Sequence, residues 1–491
     1  MKCDIILFQP RTGSWDNLGS RIPESLLGIA SIPVKESFNV VIIDQRVDKG
    51  WKEKLVKCLE DEPLIFGTSC MTGPQIKYAI EVSKFVKEHN KNIPIMWGGL
   101  HPTLAPEQTI KNPYVDIVTI GQGEESFAEL VHALKNKNEK GLRKIKGIAY
   151  KDYENNGEVV VNESRSMIDD LNKLPDLPYH LLDLKKYYAA DFRGKPSIIL
   201  TTSRGCPYRC SFCIDPAVYK MKWKAYSAER VIEKMRHIID TFGIKDFYFQ
   251  DDNFGTDLNR VKKILKMIIE EFDDMRWGTL GIRADAITRM DDELLGLLEK
   301  SGCSNIDVGV ESGSQRMLDL MKKDTKVEDF IKANNILSKY NIILKFTFVL
   351  GYPTETLEDI KMSKELALKL QKDNKNAYTP FLTFCPYLKT EGMELAMKYG
   401  FKPPNSLEEW ANFHFDGWYE HSSSWITKKR RKIIENINFT SYFANKKVKY
   451  KINNRLGKLF FDLYHPIARL RFRYNLYQFL FEKKITQMLI G

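Results

Sequence analysis

No run of apolar residues in this chain approaches the roughly 20 needed to cross a bilayer, so nothing in it reads as a spanning helix. The opening residues, Met1-Lys2-Cys3-Asp4, pass directly into the strand-like Ile5-Ile6-Leu7-Phe8 without a signal-peptide pattern. Cysteine is sparse. Eight are spread through 491 residues, grouped only at Cys206, Cys210 and Cys213, which excludes a disulfide framework and makes a reducing cytoplasm the expected location. Histidine is absent before His89. No Gly-x-Gly-x-x-Gly follows a strand with an acidic residue about 20 positions on, which argues against a dinucleotide site. Excess charge of one sign is also missing from most of the chain. The net +11 arises in residues 426–491, with 16 Lys/Arg against 3 Asp/Glu, while the first 425 residues sum to −2. A uniformly basic nucleic-acid-binding surface is therefore not supported, and no nucleic-acid partner is expected.

What is present suits globular domains: 43% hydrophobic and 28% charged residues, at a length implying two to four domains of about 100–200 residues each. Short β-branched runs (5–8, 40–43, 64–66, 93–97 and 115–120) alternate with helical periods, clearest over 75–88. Alternation of this kind predicts an α/β fold with a parallel, doubly wound sheet over residues 1–140, whose ligands sit beyond the carboxyl ends of the strands. Residues 141–195 read as a connector carrying a hairpin turned at Asn155-Asn156-Gly157. Residues 196–400 resume the alternation with strands near 198–201, 246–249, 277–282, 305–310, 342–349 and 378–384, which suggests a partial (βα)6 barrel. Residues 401–491 are expected to be mainly helical.

The most specific signal is Thr202-Ser203-Arg204-Gly205-Cys206-Pro207-Tyr208-Arg209-Cys210-Ser211-Phe212-Cys213, directly after the first barrel strand. Three close thiols can grip a soft metal or an iron-sulfur cluster. A structural zinc would want a fourth ligand from a second pair, and none follows. With Phe212 before its last cysteine, the segment resembles the Cys-x3-Cys-x2-Cys motif of the radical S-adenosylmethionine (SAM) enzymes. The resemblance implies a 4Fe-4S cluster on Cys206, Cys210 and Cys213, whose open iron chelates SAM and whose electron cleaves it to a 5′-deoxyadenosyl radical. Later strand ends resemble the same family: Gln250-Asp251-Asp252-Asn253-Phe254, Gly281-Ile282-Arg283-Ala284-Asp285, Gly309-Val310-Glu311-Ser312-Gly313-Ser314 and Leu350-Gly351-Tyr352-Pro353-Thr354-Glu355-Thr356. Physically, Glu311 can accept from an ammonium or ribose hydroxyl, and Arg283 can fork onto a carboxylate. Phe212, Asp251, Asp252, Arg283, Glu311 and Ser312 are accordingly the candidate SAM contacts, although Asp251 and Asp252 read equally as helix N-caps.

The N-terminal half is similar to the flavodoxin-like cobalamin-binding domain that precedes the radical SAM domain in one large subgroup. Met96-Trp97-Gly98-Gly99-Leu100-His101-Pro102-Thr103 and Gly121-Gln122-Gly123-Glu124-Glu125-Ser126-Phe127 carry the likeness. The resemblance places cobalamin at Thr72, Gly73, Gly98, Gly99, Gly121, Gly123 and Glu124. The Asp-x-His-x-x-Gly that supplies a cobalt ligand elsewhere is missing, so cobalamin is expected without a protein histidine. His101 is then a structural histidine or a loop residue near the cofactor.

Cobalamin beside a radical-generating cluster implies methyl transfer to an unactivated carbon of a small-molecule or lipid-like substrate, with an external electron donor of flavodoxin or ferredoxin type. The layout, including Ser406-Leu407-Glu408-Glu409-Trp410, is also similar to the anaerobic magnesium-protoporphyrin monomethyl ester cyclases, which leaves oxidative ring formation open. An idle cluster protein that senses redox state is the reading from a different class. The stretch 378–385 and Trp418-Tyr419 suit an apolar substrate cavity or plain barrel core, and Cys385 is a hydrogen donor or a buried thiol. In the tail, Leu456, Leu459, Phe460, Leu463, Tyr464 and Ile467 fall at helical spacing and Arg469, Arg471 and Arg473 interleave with Leu470, Phe472 and Tyr474. Such a helix can lie on an anionic membrane surface, making the protein peripherally membrane-associated, or it can cap the barrel.

Overall fold

The computed structural model describes residues 2–13, 16, 21–187, 189–190, 196–413, 425–452 and 455–476. Trp418-Tyr419 and the end of the tail lie outside the described residues. The chain forms two compact units, Met1–Tyr188 with Pro403–Phe415, and Ala189–Lys402 with Asp416–Gly491.

In the first unit, strands β1 (Ile5–Gln9), β2 (Val40–Asp44), β3 (Ile65–Ser69), β4 (Ile95–Gly98), β5 (Ile117–Thr119), β6 (Ile148–Asp152) and β7 (Glu158–Val161) form one sheet in the order β2-β1-β3-β4-β5-β6-β7. The first five are parallel, the flavodoxin-like order with its switch point between β1 and β3. β1 is buried throughout, as expected of a strand covered on both faces. The helix read over 75–88 is Gln75–His89. The expected hairpin forms, turning through left-handed Asn156 and Gly157. It is more than a connector, because β6 pairs antiparallel with β5 and extends the first sheet. A second departure is that Pro403–Phe415 packs into the first unit, not into a separate C-terminal region. Trp410, 1% exposed, finds its burial there against His101 and Phe413, and Glu408 accepts from Asn112 Nδ2 at 2.9 Å.

In the second unit, β8 (Ala189–Ala190) pairs antiparallel with β9 (Pro196–Leu200), and β10 (Ser203–Gly205) forms a small ribbon with β11 (Trp223–Ala225). From β9 onward the large sheet is parallel: β12 (Asp246–Phe249), β13 (Arg276–Thr279), β14 (Cys303–Glu311) and β15 (Ile343–Leu350) follow in chain order, a partial (βα)6 barrel. The last position, expected as one strand, is two, β16 (Ala377–Tyr378) and β17 (Phe381–Thr383), both paired with β15. Pro380 lies in the break, where it cannot donate to the ladder but still accepts from Phe348 N. Between the barrel strands run the helices Ala228–Phe242 and Leu258–Glu271, N-capped by Ser227 and Asp257. Asp251 and Asp252 cap nothing. The tail is helical at Lys428–Phe443 and Arg455–Tyr474.

Candidate active site

The cysteine loop leaves the carboxyl end of β9 and is fixed from below by the end of β12. Asp251 accepts from Thr202 N (2.6 Å), Thr202 Oγ1 (2.5 Å) and Ser203 Oγ (2.8 Å), and Asp252 accepts from Gly205 N (2.8 Å). These bonds hold the two carboxylates to their loop against burial, which pushes Asp251 up and, together with neighbouring Asp215, raises Asp252 to about 7. Gly205 has φ +80°, and a β-carbon there would stand 2.3 Å from Lys222 O, so only glycine closes the β10–β11 ribbon. Between the last two cysteines, Ser211 N donates to Met321 O (2.9 Å), Gly392 N to Ser211 O (2.7 Å), and Ser211 Oγ meets Tyr352 Oη at 2.9 Å.

Cys206, Cys210 and Cys213 are all partly exposed, while the other five cysteines are buried. Burial pushes the Cys206 thiol to about 11 and raises Cys210 and Cys213; the Lys323 and Arg283 cations pull Cys210 the other way. Among the described residues no three His, Cys, Asp or Glu side chains stand together as ligands of one ion. Three reachable thiols beside two cations suit an anionic cluster, whose metal charge would compensate thiolate burial. Asn253 is buried with neither amide atom bonded among the described residues, which a polar ligand at this strand end would satisfy.

Glu311 closes β14 at φ +66°, where the ladder with β15 slips, an uncommon conformation for a side-chain-bearing residue. Its Oε1 accepts from Lys323 Nζ at 2.9 Å, both side chains being about nine-tenths buried. Burial opposes the Lys323 charge, but Glu311 and Cys210 outweigh it and raise the ammonium above its ordinary range. Gly309 makes room for the pair, since a β-carbon there would be 2.3 Å from Glu311 Oε1. Lys323 Nζ also lies 5.8 Å from the centroid of Phe212. Sequence reasoning missed Lys323; only its place in the Lys322-Lys323-Asp324 turn marks it, and that is a weak signal.

Arg283 is more committed than the sequence suggested. Its Nε donates to Asp285, its Nη2 to Lys323 O, Asp324 O and Thr325 Oγ1, and its guanidinium lies 3.7 Å from the Tyr208 ring centroid. It ties the Lys323 turn to the cysteine loop. Ser312 is spent on the turn after β14, meeting Ser363 Oγ at 3.2 Å and accepting from Ser314 N. Phe381 stacks on Phe348 and Phe384 meets Tyr352 edge-on, so these rings, with Tyr378 and Cys385, are buried barrel core, whereas Leu382 is exposed.

In the first unit the candidate cradle lies at the carboxyl ends of β3, β4 and β5. Thr72 Oγ1 meets His101 Nδ1 at 3.0 Å, and Gly73 follows in a left-handed turn. A β-carbon on Gly98 would be 2.5 Å from Thr119 Oγ1; on Gly99, at φ +96°, it would be 2.8 Å from Cys70 O. Gly121 N donates to Thr103 Oγ1 (3.0 Å), and Gly123 leads into the helix Glu124–Lys135, whose first residue is buried. Glycine at Gly98 and Gly99 lets the loops after β3, β4 and β5 pack tightly on one another, and a β-carbon on Gly121 would meet nothing within 4 Å, which leaves that strand end open to a ligand. His101 is buried, and burial lowers it to about 4, so the ring is neutral; its Nε2 has no partner among the described residues.

The radical SAM superfamily model matches residues 200–367 and the B12 binding domain model residues 12–131. The chain belongs to the cobalamin-dependent radical SAM enzymes, and its cofactors are a 4Fe-4S cluster, SAM and cobalamin. It is 32% identical over 377 residues to an uncharacterized methyltransferase of Pyrococcus horikoshii, covering 76% of this chain and 78% of that one. It is 28% identical over 349 residues to the anaerobic magnesium-protoporphyrin IX monomethyl ester cyclase of Cereibacter sphaeroides, covering 69% of this chain but only 55% of the cyclase. Among solved structures, the cobalamin-dependent SAM radical enzyme OxsB with aqua-cobalamin and SAM bound shares the fold at a TM-score of 0.74 and 19% identity, over 99% of this chain and 75% of that one. The radical SAM methyltransferase TsrM of Kitasatospora setae, with cobalamin and a [4Fe-4S] cluster bound, does so at 0.68 and 17%, over 96% and 99%.

Proposed function

We propose that this enzyme moves a methyl group from SAM to an unactivated carbon of a small or lipid-like molecule. The observation that carries the reading is the pairing of a cation-flanked three-thiol loop at the barrel strand ends with a separate glycine-lined cradle in a B12-binding unit. When bound, the cluster and SAM supply a radical able to take a hydrogen atom, and cobalamin supplies the methyl group. The chain's own residues hold and exclude. Cys206, Cys210 and Cys213 hold the cluster, with Asp251 and Asp252 fixing their loop. Phe212, Glu311 and Lys323 would hold SAM, the ion pair offering both charges to its ammonium and carboxylate, while Arg283 and Ser312 keep the adjoining turns in place. Thr72, Gly73, Gly98, Gly99, Gly121, Gly123 and Glu124 would hold cobalamin, and His101, buried and bonded to Thr72, would not serve as its ligand. No general base is needed for hydrogen-atom abstraction, so the substrate cavity serves by excluding water and quenchers. A flavodoxin or ferredoxin of a reducing cytoplasm is the electron donor.

The cyclase likeness favours oxidative ring formation as the second reading. Supplying anaerobic enzyme with methyl-labelled SAM and extract of its own cell separates the two: a product carrying the label supports methyl transfer, while an unlabelled product that has lost hydrogen supports ring formation.

A further inference from the structure

The helix Arg455–Tyr474 has two apolar faces, and the fold uses one. Phe461, Tyr464, Ala468 and Phe472 are buried; the first three join a core with Phe439 and Phe443 of the preceding helix and Tyr378 of β16, and Phe472 meets Phe381 of β17. At 3.6 residues per turn, Leu456, Leu459, Leu463, Ile467, Leu470 and Tyr474 form a second stripe facing away from that core. Each of the six is between 48% and 69% exposed. A globular surface rarely leaves so many large apolar side chains in one line unless something covers them. Among the described residues no helix is long and apolar enough to cross a membrane, so the stripe is not a span.

We propose that this stripe docks the protein in the plane of an anionic lipid surface. Charge selects this occupant. Arg455 and Arg473 border the stripe on one side and Arg471 on the other, Lys458 and Arg469 lie further round the polar face, and the helix's one acid, Asp462, is paired with Lys449. A helix lying in an interface sinks its apolar face about 5–10 Å and keeps its cations at the headgroups, which matches this layout. A second copy of the chain would set like-charged borders against each other with a single acid per helix to offset them. The inference does not rest on the methyl-transfer reading.

The test is co-sedimentation of the full chain with vesicles of equimolar phosphatidylglycerol and phosphatidylcholine, and with phosphatidylcholine alone. Binding is expected to the anionic vesicles and to weaken as salt rises from about 0.1 M to about 1 M, where the Debye length falls from about 10 Å to about 3 Å. Combining Leu459→Ser, Leu463→Ser and Leu470→Ser should weaken it by on the order of a thousandfold, since each buried leucine is worth about tenfold or more. SAM cleavage by that variant should be unchanged, which shows that it folds. Failure of the full chain to bind anionic vesicles at low salt overturns the proposal, as does undiminished binding by the triple variant. So do two outcomes that name another occupant: a dimer of the full chain that the triple variant converts to monomer, or binding that appears only when the chain is cut after Leu476.

Discussion

The two strand-end sites are built in opposite ways. Around the cysteines, charged side chains do the positioning: Asp251 and Asp252 pin one end of the loop, Arg283 clamps Tyr208, and the Lys323–Glu311 pair lies beside Phe212. In the first unit the candidate cradle is shaped by close loop packing, which the missing β-carbons of Gly98 and Gly99 permit against Thr119 and Cys70, with one hydroxyl-to-imidazole bond behind it. A small anionic cluster needs fixed ligands and nearby cations, whereas a large macrocycle needs strand-end loops packed back far enough to leave it room. Removing functional groups should therefore break the first site, and adding atoms should break the second.

The sharpest break is expected at the thiols. Cys206→Ala, Cys210→Ala or Cys213→Ala should each abolish 5′-deoxyadenosine formation by the reconstituted, reduced enzyme, whereas Cys58→Ala, in the first unit, should leave it intact; chromatography of the reaction reads this directly. Next in size, Lys323→Met leaves Glu311 buried without its partner, at a cost of about 3–5 kcal/mol. Urea unfolding should show that loss, and adding Glu311→Gln should recover most of it. The double variant should still lack the change that SAM makes in the electron paramagnetic resonance spectrum of the reduced cluster, which a purely structural pair would not affect.

For the cradle, Gly99→Val meets Cys70 O and asks valine to adopt a left-handed conformation, a strain of about 1–3 kcal/mol before any clash. As the loop relaxes away from its binding shape to relieve that strain, affinity for cobalamin, read by its visible absorption, should fall by about fivefold to a hundredfold, while iron content and SAM cleavage persist. The smallest effect concerns pH. His101 is held neutral to about pH 4, but in the unfolded chain it takes a proton near 6.5. Its contribution is thus whole above 6.5 and is lost as pH falls towards 4, by about 3 kcal/mol at most. His101→Gln should flatten that part of the stability profile in urea titrations.

Much of this was legible in the sequence because it is local. Strand alternation marked both sheets, and the cysteine spacing marked the loop at β9. The roles of Asp251 and Asp252 were not legible, because the partners of an Asp-Asp after a strand lie some 48 positions away, as Ser203 does from Asp251. Lys323 escaped for the same reason: its burial follows from β14, Gly309 and the cysteine loop meeting in space. Arg283 looked available because a lone arginine at a strand end shows nothing of the three oxygens its Nη2 will find. The return of Pro403–Phe415 to the first unit hangs on the burial of Trp410, which a short Ser-Leu-Glu-Glu-Trp helix does not announce.

The most direct test of two separately built sites is to measure iron and cobalamin in the full chain and in a variant with Cys206, Cys210 and Cys213 all changed to alanine, after anaerobic reconstitution with both cofactors. The account expects a four-iron cluster and cobalamin in the parent and cobalamin alone in the variant. A variant that keeps the cluster spectrum, or one that folds but loses cobalamin along with its iron, would contradict it.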